Sequence, residues 1–434
     1  MTQAAVTSLT NARLVLPGGV RRGGLTVDAA NGRITDVTFD PEPTGAGDGV
    51  AEGRRPVPAE GERADAAADR DVRGNQPVTR PRQGETVVDL DGQYVVPGFV
   101  DMHVHGAAGA SYQTGRADDA LRAVEHHRAN GTTTTMAGLV TGSERELRDA
   151  VAALAELAAD GLIAGVHLEG PYLAASRCGA HDPGLLRDPD REEFRRLRAL
   201  GRGHLKMITV APELPGALDL VRDAADAGVV AAVGHTDATA ETTRAAYDAG
   251  ARVATHLFNA MRPLHHREGG PVTASLTDPR VTVELINDGV HIAPDVARLV
   301  FAATDGATPG GGAGTGGGSG RVALITDAMA ATGMGDGDYT LGVMSVRVRD
   351  GKALLADGSS IAGSTITMAD AFRRAVTSVG VPIERAAEAA SLTPARALGI
   401  ADRVGSLDAG KAADLVVLDG DLAVARVMKG GRWL

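Results

Sequence analysis

The rhythm of apolar and polar positions changes twice along this chain. Over residues 9–39 apolar and polar residues alternate between turn glycines, which predicts short antiparallel strands. From residue 94 onward the pattern becomes short apolar runs, at 94–100, 132–140, 162–168, 205–210, 229–233, 252–257, 281–286 and 322–325. Amphipathic stretches at 118–129, 144–159, 217–227 and 239–249 lie between them and predict helices. Continuous apolar strands with helices between them imply a parallel sheet covered on both faces. Eight such units predict a closed (β/α)8 TIM-like barrel, with a doubly wound open sheet as the competing topology. The tail returns to strand signals, so N- and C-terminal segments are expected to pair into one small β-sandwich domain. The expected division is 1–94 for the N-terminal β segment, 95–399 for the barrel and 400–434 for the C-terminal β segment.

Composition sharpens this picture. Residues 41–84 are rich in Gly, Pro, Ala and charge, so they are expected to be a disordered insert. Residues 306–320, GATPGGGAGTGGGSG, read as a flexible glycine loop. Neither is expected to touch a functional site. Aromatics make up only 3% of the chain, so the core must rest on Val, Leu, Ile and Ala. A net charge of −11 argues against nucleic-acid and anionic-membrane partners. The single cysteine, Cys178, excludes an intramolecular disulfide and a thiolate-rich zinc site. No signal peptide or membrane span is read, so a cytoplasmic protein is expected.

The chemistry falls at the ends of the expected barrel strands. PGFVDMHVHG supplies His103 and His105, HLEGP supplies Glu169, GHTDAT supplies His235, and THLFNAM supplies His256. NDGVHI adds Asp288 and His291, and TDAM adds Asp327. In a barrel all strand C-termini open on one face, so residues far apart in sequence converge there. A single histidine near a strand end is commonly a hydrogen-bonded core residue. Several strand ends that all carry ligand types are harder to explain that way. Imidazole and carboxylate donors without thiolate suit zinc or iron(II). Glu169, His235 and His256 meet the count of three protein ligands that leaves one position open. His103 and His105, on one side of an extended chain, offer a second site. Asp327 could take a proton from an activated water and return it to a leaving amine, or could merely cap the next helix. Asp288 is expected to orient neighbouring residues, and Asp101 to be structural. The loop FNAM at 258–261 and Arg267 in HHREGG could hold an anion, although a charged loop is commonly a solvated surface.

These strings, with GAHDP at 179–183 and IAGSTITM at 361–368, resemble the N-acetylglucosamine-6-phosphate deacetylase family of the amidohydrolase superfamily. They stand in the family order from Val95 to about Gly399. Related dihydroorotases, ureases and hydantoinases usually carry a carboxylated lysine where this family, and here Glu169, uses glutamate. The resemblance implies hydrolysis of N-acetyl-D-glucosamine 6-phosphate to D-glucosamine 6-phosphate and acetate, in amino-sugar catabolism. It implies one or two divalent ions per subunit, with zinc first and iron or another divalent metal as alternatives. Glu169, His235 and His256 would hold the main ion and Asp327 would be the general base and acid. Ala180 and His181 would contact the substrate near its amide. Asn259, Ala260, Arg267, Asp288, His291, Ile361, Ala362 and Gly363 would line the rest of the substrate site. His103 and His105 make the chain similar to two-metal members. A homodimer is implied, with phosphate contacts across the subunit boundary. The rival readings are an amidohydrolase for N-acyl amino acids or cyclic amides, and a non-catalytic sugar-phosphate sensor.

Overall fold

Eight short parallel strands, each paired with the next in chain order, curl into a barrel. They are Phe99–Asp101, Thr132–Val140, Gly165–Glu169, Leu205–Val210, Val230–Val233, Val253–Ala254, Thr282–Ile286 and Val322–Ile325. The computed structural model describes residues 6–41, 85–305 and 320–434. The insert expected at 41–84 and the glycine loop expected at 306–320 therefore fall outside the described residues, Pro41 and Gly320 apart.

The strands are largely buried on both faces because two cores meet them. Inside the barrel, Met102, Met136 and Met207 pack with Ala232, Val253, Ile286, Ala323 and Ile325. Flexible thioethers fill the space that aromatic rings would otherwise occupy. Outside, the helices add their apolar stripes. The helix Glu144–Ala159 buries Leu147, Ala150, Val151, Leu154, Ala155 and Ala158, which share one face at helical spacing. Its start is fixed by Ser143, whose hydroxyl caps the Glu146 amide while the Glu146 carboxylate returns to the Ser143 amide. Thr239 caps Ala240–Ala249 in the same way with one bond to the Thr242 amide.

Closure between the last and first strands is made just beyond their ends. The Asp327 amide donates to the His103 carbonyl at 2.9 Å, and the His105 amide donates to the Ala328 carbonyl at 2.8 Å. Below them the Thr326 hydroxyl donates to Asp101 Oδ2 at 2.5 Å. Asp101 is thus the structural residue of this seam, and burial pushes its carboxyl up to about 7.

The expected run 94–100 divides between two sheets. Tyr94–Pro97 joins a small sheet, and only Phe99–Asp101 enters the barrel. That small sheet orders Arg432–Trp433, Val424–Lys429, Leu415–Leu418, Tyr94–Pro97, Val6–Leu16, Gly19–Asp28 and Arg33–Phe39, with Glu85–Asp89 paired to Val6–Leu16. N- and C-terminal segments therefore build one β domain, joined through Tyr94–Pro97. A further antiparallel sheet, Gly337–Leu341, Met344–Arg349 and Lys352–Leu355, follows the last barrel strand. No strands were expected there from the sequence. Its strands Met344–Arg349 and Lys352–Leu355 alternate buried and exposed residues in short, turn-separated pieces.

Candidate metal centre

Glu169 is the last residue of the third barrel strand. His235, His256 and Asp327 each stand two residues beyond theirs, and all three adopt left-handed backbone, with φ of 48°, 27° and 49°. Such conformations are costly for residues with a Cβ and cluster at functional sites. Here the left-handed step lies at the strand end, where the chain turns over the barrel mouth. Gly363, at φ 68°, lies so close that an added Cβ would meet the Asp327 carbonyl at 2.8 Å.

The side chains converge. His235 Nε2 lies 3.1 Å and His256 Nε2 2.9 Å from Glu169 Oε1, and the two nitrogens are 3.1 Å apart. On the other carboxylate oxygen, His105 Nε2 is 3.1 Å from Glu169 Oε2. It is also 3.2 Å from Asp327 Oδ1 and 3.2 Å from His103 Nε2. Glu169 thus stands between two histidine pairs. All these residues are buried.

Hydrogen bonds on the far side of three of the four rings assign their tautomers, while His256 Nδ1 has no partner among the described residues. His235 Nδ1–H donates to the Arg177 carbonyl at 2.9 Å, and His105 Nδ1–H to the Gly138 carbonyl at 3.2 Å. His103 Nδ1–H donates to Glu284 Oε2 at 3.0 Å. In its neutral form each ring therefore turns an Nε2 lone pair toward the cluster. Lone pairs facing one another at about 3 Å, around a carboxylate, are the donor set a divalent cation fits. The electrostatics agree. Burial pulls His103 down, yet Glu169 and Glu284 hold it well above the usual imidazole value. His105 is likewise pushed up to about 9 by Asp327 and Glu169 against its burial. Burial opposes charge on Glu169 and Asp327, but the surrounding imidazoles hold both carboxyls below the usual range. The cluster is built to surround positive charge.

His181 is different. Its Nε2 lies 3.5 Å from Glu169 Oε2, near enough to be grouped with Glu169 and His235 as a metal set. Its Nδ1, however, accepts from the Thr141 amide at 3.2 Å, with the Thr141 hydroxyl 2.8 Å away. The proton must then sit on Nε2, which makes His181 a hydrogen-bond donor into the site. Burial and the neighbouring His235 lower it to about 4, so it stays neutral near pH 7.

A cavity of about 190 Å³ opens above the cluster. Among the residues read from sequence, it is lined by His105, Glu169, Ala180, His181, His235, His256, Asn259, Ala260, His291, Asp327, Ile361 and Gly363. His103 lies beneath, fully buried. Asp288 does not line the cavity. Its Oδ1 accepts the Val290 and His291 amides, and its Oδ2 takes His291 Nδ1 at 2.7 Å. Ala362 points instead into the core under the small antiparallel sheet. Arg267 is exposed, with its guanidinium against His266, outside the cavity. Cys178 is half-buried and belongs to neither ligand group.

The sequence reading missed several residues. Gly179, Ile286, Leu341 and Ser360 also line the cavity. Leu341 comes from the unforeseen sheet. Glu284 and His167 support the cluster from below, and each interrupts apolar neighbours on its strand, Val283 and Leu285 or Val166 and Leu168. That interruption was the available signal.

A barrel whose strand ends carry a histidine–carboxylate cluster of this kind defines a metal-dependent amidohydrolase, and the model of the amidohydrolase family matches residues 94–434. More narrowly, the chain belongs to the N-acetylglucosamine-6-phosphate deacetylase family. An N-acetylglucosamine-6-phosphate deacetylase of Vibrio furnissii is 37% identical over 342 residues, 78% of this chain and 82% of that one. An N-acetylgalactosamine-6-phosphate deacetylase of Escherichia coli O157:H7 is 36% identical over 351 residues, covering 80% and 89%. A Mycobacterium smegmatis N-acetyl-D-glucosamine-6-phosphate deacetylase, solved as a point mutant in complex with N-acetyl-D-glucosamine-6-phosphate, superposes with a TM-score of 0.82. It is 42% identical and 99% of each chain is covered.

Proposed function

We propose that this protein hydrolyses N-acetyl-D-glucosamine 6-phosphate to D-glucosamine 6-phosphate and acetate, in amino-sugar catabolism. The observation that carries the reading is the pairing of the Glu169 cluster with Asp327 and a proton-bearing His181 Nε2 around one cavity. The curated relatives divide between gluco and galacto substrates at nearly equal identity. The likeness to the Mycobacterium smegmatis protein, over nearly all of both chains, supports the gluco substrate.

Glu169, His235 and His256 hold the main ion in this reading, with zinc as the metal that imidazole and carboxylate donors suit. His103 and His105, with Glu169 and Asp327, form the second subsite. When bound, a divalent ion polarises the acetamide carbonyl and brings the pKa of water toward neutrality. Asp327 accepts the proton of the attacking water as the new C–O bond forms. His181 Nε2–H donates to the carbonyl oxygen as negative charge develops there. Asp327 then passes its proton to the nitrogen as the C–N bond breaks, leaving amine and acetate. Asn259 fixes the loop after His256 by donating to the His256 and Leu257 carbonyls at 3.2 and 3.3 Å. Ala180, Ala260, Ile361 and Gly363 shape the walls, with Ala362 packed behind them. Asp288 orients His291 toward the phosphorylated end. Arg267 lies outside its own protomer's cavity, so in this reading it serves the phosphate across a homodimer boundary. We place the enzyme in the cytoplasm, with 95–399 as its catalytic unit and 1–94 and 400–434 as the two halves of the β domain.

Acetate release from N-acetylglucosamine 6-phosphate, its galacto epimer and unphosphorylated N-acetylglucosamine tests the reading. Efficient turnover of the first and weak turnover of the others is expected. Equal turnover with and without the phosphate would refute it.

A further inference from the structure

The seventh barrel strand, Thr282–Ile286, buries a carboxylate that the proposed reaction does not use. Glu284 is wholly buried between the apolar residues Val283 and Leu285. A carboxylate in such surroundings is strongly unfavourable unless good donors meet it. Glu284 Oε2 has two donors: His103 Nδ1–H at 3.0 Å and the His256 backbone amide at 3.2 Å. Its Oε1 has no partner among the described residues. One oxygen therefore contacts one residue from each histidine pair.

The two contacts have different effects. At His256 the bond falls on backbone and leaves the imidazole free. At His103 it fixes the ring itself. In the neutral ring Nδ1–H is committed to Glu284 and the lone pair falls on Nε2. It is aimed at the space bounded by His105 Nε2 at 3.2 Å, Glu169 Oε1 at 3.4 Å and Asp327 Oδ1 at 3.8 Å. His167 packs edge-on to the same ring, with centroids 4.6 Å apart, and is itself tied to Thr209. A carboxylate behind a ligating imidazole sets its tautomer, orients it and raises its basicity.

We propose that Glu284 is a positioning residue that makes His103 a metal ligand and so decides whether the second ion is held. The proposal rests on the metal reading above. It predicts a selective effect: loss of Glu284 weakens the His103/His105 subsite and leaves the Glu169/His235/His256 subsite nearly intact.

The test uses the full-length protein with E284L, E284Q and H103N variants. Metal equivalents per protomer are measured by elemental analysis after dialysis, and both dissociation constants by cobalt(II) titration followed in the visible spectrum. Wild type is expected to hold two equivalents. E284L should raise the second dissociation constant about 10- to 100-fold, the range typical of lost support behind a ligand, and match H103N. E284Q, which keeps a neutral acceptor for His103 Nδ1–H, should fall between wild type and E284L. Two equivalents in E284L with wild-type constants would overturn the proposal and leave the metal reading standing. Equal weakening of both sites in folded E284L would also overturn it, as would a wild type that holds only one ion. A wild type that binds no ion overturns the metal reading and this proposal together. If E284L fails to fold, E284Q decides: a weakened second site supports the proposal and an unchanged one sinks it.

Discussion

Asp327 and His181 face the same cavity with opposite proton inventories. Asp327 is held in its charged form by His105 and His103, and His181 is held neutral by burial with its proton on Nε2. D327N should therefore retain the ion held by Glu169, His235 and His256 while kcat falls by about 10²–10⁴-fold, the usual contribution of a positioned acid–base group. Near-normal turnover in a metal-loaded D327N protein would remove Asp327 from the mechanism. His291 gives a pH prediction. Burial would lower it, but Asp288 overcomes this and raises it above the usual imidazole value. Its positive charge is thus present below that raised value and is lost as pH rises through it. KM for the phosphorylated sugar should climb over that interval. D288N removes the supporting charge, so the climb should begin at lower pH. Superimposable KM profiles for wild type and D288N would show that His291 does not sense the phosphate. The ligand types of these residues were legible in the sequence. Their tautomers were not, because those depend on carbonyls and amides of Arg177, Gly138 and Thr141, which carry no mark in a linear pattern.

Strand ends carry the site, and the strand pattern was the most readable part of the chain. Runs buried on both faces, such as Val322–Ile325, leave little ambiguity about their type. The division of the first run between two sheets was hidden, because Val95, Val96, Phe99 and Val100 are equally apolar whichever sheet receives them. The sheet Gly337–Leu355 was hidden for another reason. It lends the cavity Leu341, at the end of a strand whose first four residues are not buried and show no period. L341A should raise KM and lower kcat together by opening this wall, with the metal content unchanged; unaltered kinetics would show that the sheet is not a wall of the working site. At the seam, T326V keeps side-chain shape and deletes the donor to Asp101. It should lower stability by about 1–3 kcal/mol, the usual effect of leaving a buried acceptor unmet. Urea unfolding should show a lower midpoint at constant slope. An unchanged midpoint would mean that the bond to Asp101 contributes nothing net.

For the molecule as a whole, the barrel and its β domain are joined through the continuous segment from Tyr94 to Asp101, so both cores meet at the start of the first barrel strand. An ion held only by the folded state stabilises the fold by mass action, by about 2.7 kcal/mol at 100 times its dissociation constant. Chelation should therefore abolish activity and lower the unfolding temperature, and added zinc should restore both. An unfolding temperature indifferent to chelator would contradict a bound ion. The backbone bonds that fasten the first barrel strand to the last belong to His103, His105, Gly106, Asp327 and Ala328, three of which also bear on the metal cluster. Elsewhere around the barrel, neighbouring strands are joined by ladders of their own. An ion held by His103, His105 and Asp327 would therefore be a clasp on the fastening itself. Amide hydrogen exchange at these positions should slow sharply on metal loading while the opposite wall of the barrel hardly changes, so that metal starvation is felt first as a barrel coming undone along one line.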